Sequence, residues 1–249
     1  MRADPTRRGP PLVTRQCRAM GAALGYGALA ASSLVIGALL GLARDWPPLV
    51  VGGVLAFGAG ALISAVSFDL VEEGAALGGP GTIGLGLAAG ALVYFGADRA
   101  LERGGPDGGT ALALGAFLDG IPEQLVLGIG LATGDGVSVG LLVAIFVSNL
   151  PEAIGSSTDM RAAKRPRGWI LRLWIAVAAI CTVATVFGYG VADAVGDDLK
   201  AVINGFAAGA LLVMLIDSMI PEAVRKGGDI SGLVTVLGFA VAAGLSSVS

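Results

Sequence analysis

LDGIPEQ at residues 118–124 sets a proline and a glutamate side by side in the middle of a long apolar segment, and SNLPEAI at residues 148–154 and SMIPEAV at residues 218–224 do the same. What surrounds these pairs decides how they are read. Of the 249 residues, 55% are hydrophobic and 14% charged, whereas a soluble domain is about a quarter charged. Mean hydropathy is +0.81. A chain so apolar cannot coat itself with water-facing side chains, so the expected solvent is a bilayer. The 41 glycines suit close helix packing in lipid, where small residues let backbones approach, and no three-residue period points to collagen. The net charge of -3 and the lack of a basic patch interleaved with aromatics give no reason to expect a nucleic-acid partner. Cys17 and Cys181 are far apart in sequence and read as small packing residues rather than a disulfide. There is no histidine, so any ion chemistry must use carboxylates, amides, hydroxyls and backbone carbonyls.

Residues 1–18, with five arginines and Pro5, Pro10 and Pro11, read as an exposed arm, and residues 19–249 as a single membrane domain. Eight apolar stretches follow, near 19–43, 48–71, 81–98, 110–133, 136–158, 169–192, 200–222 and 230–248. Each approaches the ~20 residues a helix needs to cross the hydrocarbon core. They are too long for membrane β-strands and lack the alternation of apolar and polar residues. With the N-terminus outside, the inner loops hold Arg44, Arg99, Arg103, Arg161, Lys164, Arg165, Arg167, Arg172, Arg225 and Lys226, and the outer loops only Lys200. Lysine and arginine collect on the cytoplasmic side, which predicts a multi-pass protein of the cell membrane with both termini extracytoplasmic. The arginines of the arm oppose this assignment, but the loops outnumber them. A shift of 149 residues lays Phe57, Ala59, Gly60, Ala61, Leu62 and Glu73 on Phe206, Ala208, Gly209, Ala210, Leu211 and Glu222. Three spans, an unrepeated pair and three spans again make an all-α integral membrane protein with eight transmembrane helices in a 3+2+3 inverted-repeat arrangement. Transporters built in this way bind substrate near the midplane.

Asp119 and Glu123 are four apart and share a helix face, with Pro122 kinking the helix between them. In the next span Ser148, Glu152 and Asp159 fall roughly on one face, with Asn149 beside it and Pro151 as the kink. An acidic side chain at the bilayer centre costs about 2.5–3.5 kcal/mol, and no basic residue lies well inside any span. The carboxylates must then be protonated, face water, or bind a cation. Brought together they repel unless a cation sits between them, which suits a divalent ion.

These paired Pro-Glu helices resemble the fourth and fifth spans of the ZIP (Zrt/Irt-like) family of divalent-metal transporters, whose fourth span reads His-Asn-x-Pro-Glu-Gly and whose fifth reads x-x-x-Pro-Glu-Gly. Here the two stand as Asp119-Gly120-Ile121-Pro122-Glu123-Gln124 and Ser148-Asn149-Leu150-Pro151-Glu152-Ala153. The resemblance implies eight spans, metal passage by alternating access, and Asp119, Glu123, Ser148, Asn149 and Glu152 at the metal-ligand positions. It also implies that spans one, four, five and six move against two, three, seven and eight. Asp119 replaces the family histidine, Gly120 its asparagine, and Gln124 and Ala153 its glycines, while span six offers only Thr182 and Thr185. An all-oxygen site suits hard cations better than imidazole does, so manganese and ferrous iron stand beside zinc as the transported ion. No organic cofactor is expected.

Asp69, Glu73, Asp159, Asp217 and Glu222 are secondary candidates for a cation pathway, or solvated helix ends. The leading expectation is a transporter and not an enzyme, with lipid and divalent cations as its partners and a homodimer left open. Other readings are cation exchange through the same carboxylates, a ZIP-like membrane protein that has lost transport and serves a sensing or structural role, and a membrane-embedded hydrolase using paired acids.

Overall fold

The computed structural model describes residues 12–44, 46–103, 108–133, 139–192 and 194–246. Among these there is no strand, and the helices are α1 (Leu12–Ala43), α2 (Pro48–Ala65), α3 (Glu73–Arg103), α4 (Gly108–Thr133), α5 (Val139–Ala162), α6 (Arg167–Val191), α7 (Asp197–Met214), α8 (Ile220–Gly227) and α9 (Ser231–Ser246). π-Helical segments Val66–Glu72 and Leu215–Met219 join α2 to α3 and α7 to α8. Five helical runs among the described residues are long and apolar enough to cross a membrane: Met20–Ala43, Pro48–Ala100, Gly140–Ala162, Arg167–Val191 and Asp197–Ser246. The fold is therefore consistent with an all-α membrane protein. Its outer faces agree with lipid as solvent, since Leu92 is 72% exposed, Leu233 75% and Val236 66%, apolar side chains that water would drive inward.

Two of the five runs, 53 and 50 residues long, are more than one crossing needs. Each is broken at a glycine. Gly79 has φ 81° and ψ 170°, and Gly228 has φ 64° and ψ -149°. Both sit in the region of backbone space that only glycine occupies without strain. Pro80 then starts the second piece of α3, at the helix position where its missing N–H costs nothing. Gly79→Ala and Gly228→Ala are each expected to lower stability by about 1–3 kcal/mol. Gly84→Ala, in a helical stretch whose added Cβ meets nothing within 4 Å, is expected to be neutral or slightly stabilising. Thermal unfolding in detergent would separate the two classes.

The 149-residue offset seen in sequence recurs in backbone features that a sequence comparison cannot supply. It relates the first residues of α2 and α7, Pro48 and Asp197, and the first residues of the two π segments, Val66 and Leu215. It also relates the two positive-φ glycines, Gly79 and Gly228. The packing repeats as well. α3 lies against α7 and α9 against α2. Gly90 of α3 abuts the Phe206 carbonyl, and Gly238 of α9 abuts the Phe57 carbonyl. Gly209 lies against the backbone of Leu87 and Ala91, and Gly60 against that of Thr235 and Phe239. At these crossings an added Cβ would run into backbone, so absent side chains set the interhelical distance.

α4 and α5 pack on each other; α4 also lies against α6 and α7, and α5 against α1 and α2. One apolar cluster joins α2 and α7 to α5, through Leu55, Leu62, Ile145, Leu211 and Met214. A second joins α1, α5 and α6 around the fully buried Trp174, with Leu34, Ala38, Met160 and Ile170. The expected N-terminal arm, residues 1–18, is described only from Leu12 on. Leu12–Arg18 already belongs to α1, because the last proline is Pro11 and no glycine follows until Gly21. Residues 1–11 lie outside the described residues.

Candidate functional site

Both proline-kinked helices carry their glutamates inward. Pro122 in α4 and Pro151 in α5 lie inside continuous helix, so each lacks the N–H that would bond the carbonyl four residues earlier. Glu123 is 1% exposed. Its two carboxylate oxygens are buried and no hydrogen-bond donor among the described residues meets them. Glu152 is half-buried, and its Oε2 is likewise buried without a partner. The two carboxylates are close enough for their charges to interact. Like charges placed together in a low-dielectric interior are costly unless something positive or a proton comes between them.

Neutral polar groups stand beside the two glutamates along the same helices. Ser148 is buried and donates its hydroxyl to the Ile145 carbonyl at 3.1 Å, which leaves its oxygen lone pairs able to accept or ligate. Asn149 is buried, and its Nδ2 has no hydrogen-bond partner among the described residues. Gln124, fully buried beside Glu123, accepts a hydrogen bond at 2.5 Å from Thr185 of α6, and its Nε2 has no partner among the described residues. This contact gives Thr185 a role that its position in span six did not reveal, since it fixes the amide next to Glu123. Thr182 instead donates to its own helix at the Ala178 carbonyl, 2.8 Å away.

Gly120 has a packing reason. A Cβ there would lie 2.7 Å from Sγ of Cys181 on α6, so the asparagine of the ZIP pattern would fit only if Cys181 moved. Cys181 is buried and forms no disulfide among the described residues, in keeping with its expected packing role. The side chain of Cys17 lies outside the described residues. Asp119 occupies α4 one turn before Glu123 and Asp159 lies near the end of α5, and the side chains of both are outside the described residues. Among the described residues no three His, Cys, Asp or Glu side chains gather in a metal-holding group.

The secondary candidates separate clearly. Glu222 joins the site: it lines a cavity of about 20 Å³ together with Glu152, Ser156 and Ser218, and its charge interacts with that of Glu152. That volume has room for about one water. Asp217, in the second π segment, is exposed, as is Glu73. Asp69 is half-buried and accepts a 3.4 Å hydrogen bond from Ser246 at the end of α9. A second cavity of about 200 Å³, lined by Trp46, Thr158 and Lys226 among others, shares Gly155 with the first. Together they trace a route from Glu152 to the end of the molecule where Arg44 stacks on Trp46 at 4.5 Å and Arg161 donates to the Leu42 carbonyl at 3.2 Å. Lys226 was missed because only its position at a helix end was considered. The Glu222–Lys226 spacing of four residues is a legible ion-pair signal.

The geometry is that of two glutamates on neighbouring helices, with buried carboxylate oxygens that meet no donor among the described residues. No known family profile matches the chain. Over 182 residues, 68% of its length, the chain is 30% identical to a protein of Arabidopsis thaliana named "Putative zinc transporter", and the match spans 29% of that protein's length.

Proposed function

We propose that this chain is a carrier of the ZIP type that moves divalent metal cations across a membrane toward the cytoplasm, and that it is not an enzyme. The observation that carries the reading is that Glu123 and Glu152, each following a mid-helix proline on two helices packed on each other, have buried carboxylate oxygens that find no donor among the described residues. A carboxylate that only held the structure together would have a donor; one that receives a cargo cation must keep its lone pairs free. The transport named for the Arabidopsis relative favours the same reading. Zinc is the first substrate to test. Manganese and ferrous iron follow, because carboxylate, amide and hydroxyl oxygens suit harder cations. The ligands in this reading are Asp119, Glu123, Ser148, Asn149 and Glu152.

Eight crossings in a 3+2+3 inverted repeat account for the lengths and the pseudo-equivalences. The runs Pro48–Ala100 and Asp197–Ser246 each count as two crossings at Gly79 and Gly228, and α4 adds its own. In this reading the arginine-rich loops mark the cytoplasmic side and both termini lie outside; the outer of the two cavities, lined by Trp46 and Lys226, is near those loops. α1, α4, α5 and α6 then move as one body against α2, α3, α7, α8 and α9 in alternating access.

The test is uptake of Zn²⁺, Mn²⁺ and Fe²⁺ by proteoliposomes holding the full chain, with Glu152→Ala as control. Uptake by the native chain that disappears in the variant is the expected result. Binding without uptake would move the reading to a sensing role, and neither binding nor uptake would sink it.

A further inference from the structure

Glu222 does not face the crevice as a bare carboxylate. Its Oε1 is held by Lys226 Nζ at 2.5 Å and approached by Arg225 Nη2 at 3.6 Å. The two bases differ: Arg225 is 74% exposed, whereas Lys226 is 22% exposed and lines the outer cavity. Glu222 lines the inner cavity with Glu152. The ion pair therefore stands where the two cavities join at Gly155. A Cβ built on that glycine would lie 3.7 Å from Lys226 Nζ and 4.0 Å from Glu222 Oε1.

The backbone beneath Lys226 is tied to α2. Gly52 packs so closely on Lys226 and Gly227 that an added Cβ would meet the Lys226 carbonyl carbon at 2.6 Å. Ser231 donates to the Ala223 carbonyl at 3.0 Å and closes the turn that follows. Glu152 and Gly155 belong instead to α5. The ammonium group is thus fixed on one helix group and pointed at the other.

We propose that Lys226 is a tethered cation that competes with the cargo for Glu222 and so promotes its release at this end of the path; the proposal rests on the carrier reading above. With Lys226 in place, a divalent ion leaving Glu152 meets a second carboxylate that is already neutralised, and no strong two-carboxylate trap forms on the way out. Without it, Glu152 and Glu222 would face each other across a cavity one water wide, a geometry that a divalent cation would fill and hold.

The experiment uses the full chain in lipid nanodiscs for equilibrium binding of labelled Zn²⁺ and in proteoliposomes for uptake. Lys226→Met is expected to bind Zn²⁺ roughly tenfold more tightly, on the scale of one close charge interaction, and to turn over more slowly at saturating Zn²⁺. Adding Glu222→Gln should abolish the gain in affinity, and Lys226→Arg, which keeps the charge, should not show it. A folded Lys226→Met protein with native affinity and turnover, beside uptake that still depends on Glu152, overturns the Lys226 proposal alone. A gain in affinity that survives Glu222→Gln also overturns it, since the gain would then arise elsewhere. A native chain that neither binds nor moves Zn²⁺ overturns the carrier reading and this proposal together.

Discussion

Glu123→Gln is expected to reduce Zn²⁺ uptake by proteoliposomes at least about a hundredfold while raising the resistance of the metal-free protein to heat. The two effects have opposite signs for one reason. Glu123 is buried on an inner helix and neither oxygen meets a donor among the described residues. A carboxylate in that setting costs about 2.5–3.5 kcal/mol relative to an apolar position at the bilayer centre, and it faces a second carboxylate, Glu152. Glutamine keeps the shape and removes the charge, so the metal-free fold gains a part of that cost, roughly 1–2 kcal/mol. The same change removes the negative charge that a divalent cation needs, and a loss near 3 kcal/mol in binding or in the transport barrier corresponds to about a hundredfold. Uptake and melting temperature, measured on the same preparation, decide the matter. A variant that melts lower and transports normally would mark Glu123 as a structural residue and remove the main support for the carrier reading.

The second large effect concerns the helix crossings. Gly60→Val and Gly209→Val are expected to destabilise the protein by about 3 kcal/mol or more each, enough to cut the yield of monodisperse protein and lower its melting temperature sharply. Gly60 lies against the Thr235 carbonyl and Phe239 amide, and Gly209 against the Leu87 carbonyl and Ala91 amide. In both cases the obstacle to a side chain is backbone, which cannot swing aside as a flexible side chain does, so one helix must move away from its partner. Gly53→Ala is the matched control. It lies on α2 as Gly60 does, and a Cβ there meets nothing within 4 Å. Similar losses at residues 60 and 209 and none at 53 would support a repeat whose halves pack by the same rule. A Gly60→Val protein as stable as the native chain would mean that the α2–α9 distance is not set there.

Much of the fold was legible because it rests on local or compositional signals. The long apolar runs, the proline kinks at 122 and 151 and the turn at Gly79-Pro80 are each written in a few adjacent residues. The 149-residue repeat was legible for a different reason. Gly60 and Gly209 serve the same purpose in two places, so the chain repeats the same small residues. The start of α1 at Leu12 was not read from charge, which speaks only of exposure; helix formation there depends on the end of the proline-rich stretch.

The partners across the site were not legible, and the π segments are one physical reason. A π turn inserts extra residue angle into a helix, so the 3.6-residue period that assigns faces no longer holds beyond residues 66 and 215. Asp217 and Glu222 sit within and after such a segment, and only the folded helix turns Asp217 outward and Glu222 toward Glu152. Sequence by itself determined the long apolar runs, the two mid-helix prolines with the glutamates that follow them, and the asymmetry of loop charge, since each follows from neighbouring residues or from composition. The tertiary structure alone decided that Thr185 holds Gln124, that Cys181 occupies the space beside Gly120, and that Lys226 and Glu222 stand together in front of Glu152. Those contacts join residues far apart in the chain, and they depend on how each helix is rotated about its axis and how closely the glycine crossings let it approach the next.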